Sequence, residues 1–513
     1  MTRRLKTIAG VTGVVLVSKL FGLSREMVIA DRFGTTADYD LYLIAVMLPA
    51  LAWGVISFAV YYLFVPYLTR NLEATQSASP REHWRSTWSL FNLTFVSAFV
   101  IMLAIIASAP LVMRIWARGY AEADFARVLF YCRATAVMVL LGAVEAYFRS
   151  VLNARKIFAY PATGMILFNI GVIAGTLLFE STYGVGAVAI GFIGGFVLQD
   201  LFLLVRLIPM GAIGAFSISW PDEELRPIAT TATALIIIEM LNRSYFLIDR
   251  FFAPAFGEGI ISALNYGQVL VQLPDAVVGF SIASVVFPLL SESAREESAA
   301  RFGSLYREAI IGGLLIAVPM AVYFFVNASD LVYLMFYRGE FNANSVAITA
   351  RVLRPYTPTI VALFIVSTSI RACYARNWAR QVLWFTVALL ALKLVGTFAL
   401  SRWGGYPGIS AASSISQVIF AALLMNLVTR RSGMADRAGF LDRVARIILA
   451  GVLSLALIWL FNLLISKYMV DNTRVFAAVR LAISAIALAT LFAVVSSMLG
   501  FKDYLMKLLG RGV

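Results

Sequence analysis

Apolar residues run through this chain in long, nearly uninterrupted stretches, not in the every-other pattern of strands or the one-face pattern of surface helices. The stretches are separated by short segments holding arginine, lysine, glycine, proline and aspartate. Runs of this length suit helices that cross hydrocarbon, which takes roughly 20 residues each. The pattern predicts fourteen spans, near 8–31, 41–69, 88–116, 126–152, 159–180, 184–208, 227–251, 259–290, 305–327, 343–373, 380–401, 405–429, 440–466 and 474–499. Several exceed the minimum, so tilt or extension into water is expected. An even count returns the chain to the side on which it began.

The N-terminal Met-Thr-Arg-Arg-Leu-Lys and the apolar run from Ile8 to Val17 have the beginning of a signal peptide. No small-residue cleavage pattern follows, and the helix continues through Lys19 and Arg25, so the reading is a retained first span. Composition agrees with a lipid solvent. Of 513 residues, 61% are hydrophobic and 14% charged, and mean hydropathy is +0.85. A soluble protein is nearer half apolar and a quarter charged.

A net charge of +14 in a soluble protein would suggest nucleic acid. Here the basic residues sit mostly in short loops. About 25 fall on the N-terminal side and about 9 on the far side, which places both termini in the cytoplasm. No nucleic-acid partner is expected. The two cysteines, Cys132 and Cys373, lie in apolar segments without metal-ligand spacing. The sole histidine, His83, is in a loop. Metal sites, cofactors and enzymatic chemistry are therefore not expected.

The two halves repeat. Leu48-Pro49 and Pro66 bracket the second span as Leu273-Pro274 and Pro288 bracket the eighth. Asp31-Arg32 recurs as Asp249-Arg250, Arg118-Gly119 as Arg338-Gly339, and Arg149 as Arg371. The offsets stay between about 218 and 225 residues, as a duplication requires. Six spans separate the copies, so both halves share one orientation. The expected fold is an all-α polytopic membrane protein: two six-helix pseudo-symmetric lobes, 1–220 and 221–432, plus two C-terminal helices in 433–513.

Ionisable residues interrupt the spans. Lys19, Arg25 and Glu26 lie in the first, Glu145 and Arg149 in the fourth, Glu239, Asn242 and Arg243 in the seventh, and Lys393 in the eleventh. A charge facing lipid at mid-bilayer costs at least about 2.5–3.5 kcal/mol, so these should face water or one another. Lys19, Gly22 and Glu26 share one helical face, with Arg25 beside them; Glu239, Asn242, Arg243 and Phe246 share another. The two faces are repeat-equivalent and are expected to meet. The alternative is internal packing pairs, Lys19–Glu26 and Glu239–Arg243. Arg149 and Arg371 read as snorkelling side chains. A passage lined by lysine and arginine suits an anion, and guanidinium binds diphosphate bidentately.

The stretch SKLFGLSREMVIADRFGTTADYDLYLIAVMLPALAWG resembles the start of the MviN/MurJ family of lipid II flippases, within the multidrug/oligosaccharidyl-lipid/polysaccharide exporter superfamily. Ser18, Gly22, Arg25, Glu26, Phe33, Gly34, Asp40, Leu48 and Pro49 match its pattern. FYRGEFNANSVAITARVL (336–353) is similar to its segment before the tenth helix, and Asn265 to Pro288 to its eighth helix. The pattern is not matched throughout. Lys19 stands where the family usually has arginine, Ala52-Trp53-Gly54 occupy the stretch of its second-helix arginine, and Val269 that of its eighth-helix arginine. Span 11 has Lys393 and no aspartate or asparagine, so the family's sodium site is not carried over.

The resemblance implies a flippase moving a polyprenyl-diphosphate-linked saccharide from the cytoplasmic to the periplasmic leaflet of the bacterial inner membrane by alternating access. Lys19, Arg25 and Arg243 would bind substrate. Glu26, Glu239 and Asn242 would be counter-charges or gate partners, and Asp40 would help close the periplasmic side. The last two helices would supply a groove for the lipid tail. Membrane lipids, and cell-wall synthesis proteins, are the implied partner classes. Competing readings are a flippase for another lipid-linked polysaccharide, a drug or cation antiporter, a membrane transferase, and a degenerate scaffold. The antiporter needs acids to dominate the passage, and the transferase needs a catalytic histidine or carboxylate pair.

Overall fold

The structure is a computed structural model describing residues 2–74, 80–117, 120–210, 225–275, 289–294, 299–434, 436–468 and 473–504. Pro288 and Arg118-Gly119, and much of the second half of the predicted span 259–290, lie outside the described residues. Among those residues there are helices and no β-strand, only an isolated bridge between Arg338 and Phe341.

The chain divides into two compact units, Met1–Ser262 and Ala263–Val513. The first holds α1 (Thr2–Phe33), α2 (Ala37–Ala45), α3 (Met47–Ala74), α4 (Pro80–Trp116), α5 (Glu122–Thr135), α6 (Val137–Ala154), α7 (Ala159–Tyr183), α8 (Gly186–Leu207) and α9 (Leu225–Phe252). Helix α10 (Ile260–Pro274) begins at its end. The second unit continues with α11 (Ala299–Val326), α12 (Ala328–Phe336), α13 (Ala343–Tyr356), α14 (Pro358–Ala375), α15 (Ala379–Gly404), α16 (Pro407–Arg431), α17 (Arg437–Tyr468) and α18 (Arg474–Ser496). The division falls after Ser262, so α9, which the repeat assigns to the second lobe, packs in the first unit, mainly against α3.

Eleven described helices are long and apolar enough to cross a membrane. Three predicted spans are not among these eleven. Spans 1 and 7 form the long helices α1 and α9, whose side chains are described only in part, and span 8 is described as a helix over Ile260–Pro274.

Local geometry repeats with the sequence. The single predicted spans 126–152 and 343–373 are each two stacked helices, broken at Ala136 and Thr357. Thr357 precedes Pro358, which lacks the N–H that continuation needs. Lys156 and Asn377 both have positive φ. Gly184 and Gly405, at 53° and 64°, both end helices in the left-handed region open to glycine. In each of these three pairs the partners stand 221 residues apart.

Packing within the first unit centres on Phe64, Tyr67, Leu90, Tyr147, Phe148 and Leu203, buried where α3, α4, α6 and α8 converge. Helices α7 and α8 approach backbone to backbone. A Cβ on Gly175 would lie 2.4 Å from the Gly191 Cα, and one on Gly171 would lie 2.6 Å from the Gly195 Cα. Two four-residue glycine spacings thus let backbones touch, which is how helices associate when lipid offers no hydrophobic drive. In the second unit, Val322, Ile458 and Leu488 join α11, α17 and α18. Asn327 continues that contact, donating to Ser484 Oγ at 2.9 Å and accepting from Asn462 at 3.1 Å.

Candidate functional site

Helix α1 packs on α7, and this decides where its charges go. Arg25 donates through Nη2 to Glu26 Oε1 at 2.6 Å and through Nε at 3.1 Å. Its Nη1 reaches Asn169 Oδ1 on α7 at 3.2 Å, and its guanidinium lies 5.2 Å from the Phe192 ring centroid on α8. Asn169 itself donates to the Met165 carbonyl. Arg25 is thus held on three sides yet keeps a fifth of its side chain accessible. Glu26 is buried and Lys19 exposed. In place of the Lys19–Glu26 pair of the packing alternative, Glu26 pairs with Arg25, the cation that α7 and α8 hold in position.

Helix α9 carries the second group. Arg243 Nε lies 2.7 Å from Glu239 Oε1, one helical turn away, so this pair forms as the packing alternative expected. Its guanidinium rests on Gly54 of α3, where a Cβ would approach Nη1 to 2.2 Å. The glycine is therefore a seat for the side chain. The stretch Ala52-Trp53-Gly54, which lacks a cation of its own, receives one from α9. Arg243 is 40% exposed, more than its Glu239 partner at 21%. Asn242 is half-buried beside them. The ion pairs are internal to each helix, and α1 and α9 pack on different neighbours, α7 and α3.

Asp40 is built differently. Thr36 caps α2, and Asp40 sits in its first turn with 1% exposure. Its Oδ2 accepts from the Gly259 N–H at 2.7 Å, and its Oδ1 from the Ser262 N–H at 2.7 Å and from the Ser262 hydroxyl. A carboxylate on α2 thus caps the first turn of α10, where donors lack intrahelical partners. Burial pushes its carboxyl up to about 6, against the pull of the Ser262 and Gly259 bonds. Nearby, Arg250 donates to the Leu43 carbonyl at 2.6 Å. A cavity of about 490 Å³ opens beside Asp40, lined by Trp116, Tyr120, Asp124 and Glu258 among others.

Lys393 does not face water. It is fully buried, donating to the Ile409 carbonyl at 3.2 Å and to the Ser413 hydroxyl, both on α16. The α15–α16 interface supplies polar acceptors, so the ammonium is spent on packing. Lys393→Met is expected to leave transport intact and to change stability little, since an apolar isostere commonly replaces a buried charge at small cost. Thermal unfolding and a transport assay on the same preparation check this. Arg149 is likewise more than a snorkelling side chain. It bonds Glu145 at 2.9 Å and lies over the Tyr61 ring. Gln199 donates to the same Glu145 oxygen at 3.3 Å. Asp200, passed over in the sequence, is buried close by, with neither oxygen hydrogen-bonded to a described residue.

Asn169, Phe192 and Gly54 complete the site and carry no charge, so a search for intramembrane ions misses them. No sequence signal marks them, because only packing brings their helices against Arg25 or Arg243. No group of three metal-ligating side chains occurs among the described residues. The arrangement offers guanidinium groups that are oriented by acids yet partly accessible, which suits reversible binding of a phosphate-bearing solute.

A family model described as "Lipid II flippase MurJ" matches residues 29–479. The lipid II flippase MurJ of Burkholderia cenocepacia is 24% identical over 444 residues, covering 83% of each chain. The probable lipid II flippase MurJ of Buchnera aphidicola subsp. Acyrthosiphon pisum is 24% identical over 484 residues, 90% of this chain and 93% of its own. A solved structure of lipid II flippase MurJ in an inward closed conformation aligns with a TM-score of 0.77 at 19% identity, covering 96% of this chain and 99% of that one. At that identity the structural likeness establishes the fold.

Proposed function

The chain belongs to the MurJ family of lipid II flippases, and from that premise we propose a division of labour among its charged residues. The protein is a multi-pass protein of the bacterial inner membrane and a transporter, not an enzyme. Its substrate is lipid II, a lipid-linked saccharide, carried from the cytoplasmic to the periplasmic leaflet by alternating access.

Arg25 and Arg243 bind the diphosphate, with Lys19 as a third, looser cation. Glu26 and Glu239 are counter-charges that hold each guanidinium in place when no substrate is bound. Asn242 serves as a gate partner on the Arg243 face, and Asp40 fastens the periplasmic side. Helices α17 and α18 offer the apolar groove for the polyprenyl tail. Both termini are cytoplasmic, and cell-wall synthesis proteins are the partner class. The observation that carries this reading is the Arg243 guanidinium, seated on Gly54, paired to Glu239 and still 40% exposed. The exposed part of the guanidinium keeps N–H donors within reach of a ligand.

Hydrogen bonds to charged groups are worth about 1.5–3 kcal/mol, or roughly tenfold to a hundredfold. Arg243→Ala is therefore expected to lower periplasm-exposed lipid II by that factor. Gly54→Leu is expected to do the same without touching the cation, because the new side chain occupies the guanidinium's seat. The measurement is chromosomal depletion in a strain without a redundant flippase, followed by labelling of periplasm-exposed lipid-linked saccharide. Unchanged exposure on depletion overturns the transport reading. Unchanged exposure in both variants removes Arg243 from the site.

A further inference from the structure

The second unit holds a cleft of about 320 Å³, bounded by the short helix α12, the start of α13 and the first turns of α18. Its volume is at the small end of ligand pockets, roughly 300–1,000 Å³. Ser329, Asp330, Tyr333, Tyr337, Val346 and Arg480 line it. Asp330, Tyr333 and Tyr337 follow at i, i+3 and i+7, so one face of α12 and its exit supplies them. The opposite face, with Leu331, Val332 and Phe336, is buried.

Three features limit what such a cleft can hold. The Tyr333 and Tyr337 rings are stacked, 4.5 Å apart and 22° from parallel, forming an aromatic wall. Arg480 grips Asp330 bidentately, Nε to Oδ2 at 3.0 Å and Nη2 to Oδ1 at 2.8 Å. This neutralises the guanidinium and leaves the planar pair as a rigid array of donors and acceptors, since each carboxylate oxygen accepts two bonds. The wall itself is fixed, because Arg474 donates to the Tyr337 carbonyl at 2.8 Å and Arg354 to Ser329 Oγ at 3.3 Å. A phosphate would have to displace Asp330 from Arg480. An uncharged ring with one apolar face and several hydroxyls would displace nothing.

We propose that this cleft binds one pyranose ring of the saccharide headgroup, with the sugar's C–H face against the tyrosines and its hydroxyls on the Asp330–Arg480 pair. The assignment rests on the lipid-linked saccharide reading. It adds a sugar subsite on the loop that follows the ninth span, the face opposite the N-terminus by span count.

The test uses the full chain in lipid nanodiscs, which avoids sugar-headed detergents, with di-N-acetylchitobiose as probe and saturation-transfer NMR as readout. The wild type is expected to saturate the protons of one ring face. The double variant Tyr333→Ala/Tyr337→Ala is expected to lower that transfer at least tenfold, and Tyr333→Phe to keep it. Matched thermal unfolding curves show that the variants are folded. Because the tyrosines flank the Asp330–Arg480 bond, Val346→Trp serves as a second variant that fills the cleft from α13 and should also abolish transfer. Equal transfer in the wild type, the double variant and Val346→Trp overturns the proposal, as does no transfer to the wild type. A wild type that exposes lipid II normally yet shows no transfer removes the cleft alone. Unchanged periplasmic labelling of lipid-linked saccharide on depletion removes the flippase reading instead.

Discussion

Replacing Gly175 with leucine is expected to prevent the first unit from folding, the largest effect of any single substitution considered. The new Cβ would begin 2.4 Å from the Gly191 Cα and 2.9 Å from its nitrogen. Backbone cannot rotate aside as a side chain can, so α7 and α8 must separate. Overpacking typically costs about 1–3 kcal/mol and more when the obstacle cannot yield. Here it also opens the contact that orients Asn169 and Phe192 toward Arg25. Gly194 is one residue from the interface glycine Gly195, and a Cβ there meets nothing within 4 Å. Gly194→Ala is accordingly expected to be neutral or to stabilise by about 0.5–1 kcal/mol through helix entropy. Fluorescence-detected size exclusion after a temperature series separates the two outcomes. Equal melting of Gly175→Leu and Gly194→Ala would mean that the glycine contact is not what joins these helices.

Asp40→Ala is expected to abolish function through a different route. It strands the Gly259 and Ser262 amides and the Ser262 hydroxyl at the start of α10, in a place with 1% exposure for the acid that served them. Each buried donor left unsatisfied costs about 1–3 kcal/mol. Amide exchange at Gly259 and Ser262 should accelerate at least tenfold, and depletion complementation should fail. Asp40→Asn is no rescue, because the amide nitrogen, a donor, takes the place of an accepting oxygen and faces one of the donors that oxygen served. If Asp40→Asn supported growth with unchanged exchange, one acceptor would be enough and the capping role would fall.

Much of this molecule is legible from residue order. The long apolar runs announce the helices, since nothing else satisfies the backbone in hydrocarbon. Landmarks such as Asp31-Arg32 and Asp249-Arg250 announce the duplication, and the structure adds the paired breaks at Ala136 and Thr357 and the paired glycine ends at Gly184 and Gly405. The charges in spans 1 and 7 stand out because each must be compensated. Their partners do not stand out. Arg25 prefers Glu26 and Asn169 to any ion on α9, and Lys393, as conspicuous in sequence as Lys19, is buried on hydroxyl and carbonyl groups of α16. Helical period gives the face of a residue and not the identity of the helix that will cover it.

Sequence alone therefore determined the solvent, the class of fold, the repeat and the list of ions too costly to leave in lipid. These are one-dimensional properties, set by composition and spacing against the fixed cost of exposing polar groups to hydrocarbon. Only the tertiary structure decided which of those ions remain accessible. That depended on absent atoms as much as present ones: the missing Cβ of Gly54 that seats Arg243, and those of Gly171, Gly175, Gly191 and Gly195 that bring α7 and α8 close enough to steer Arg25. Close approach between helices distant in sequence is a property of the packed bundle, because each contact exists only once both surfaces are in place.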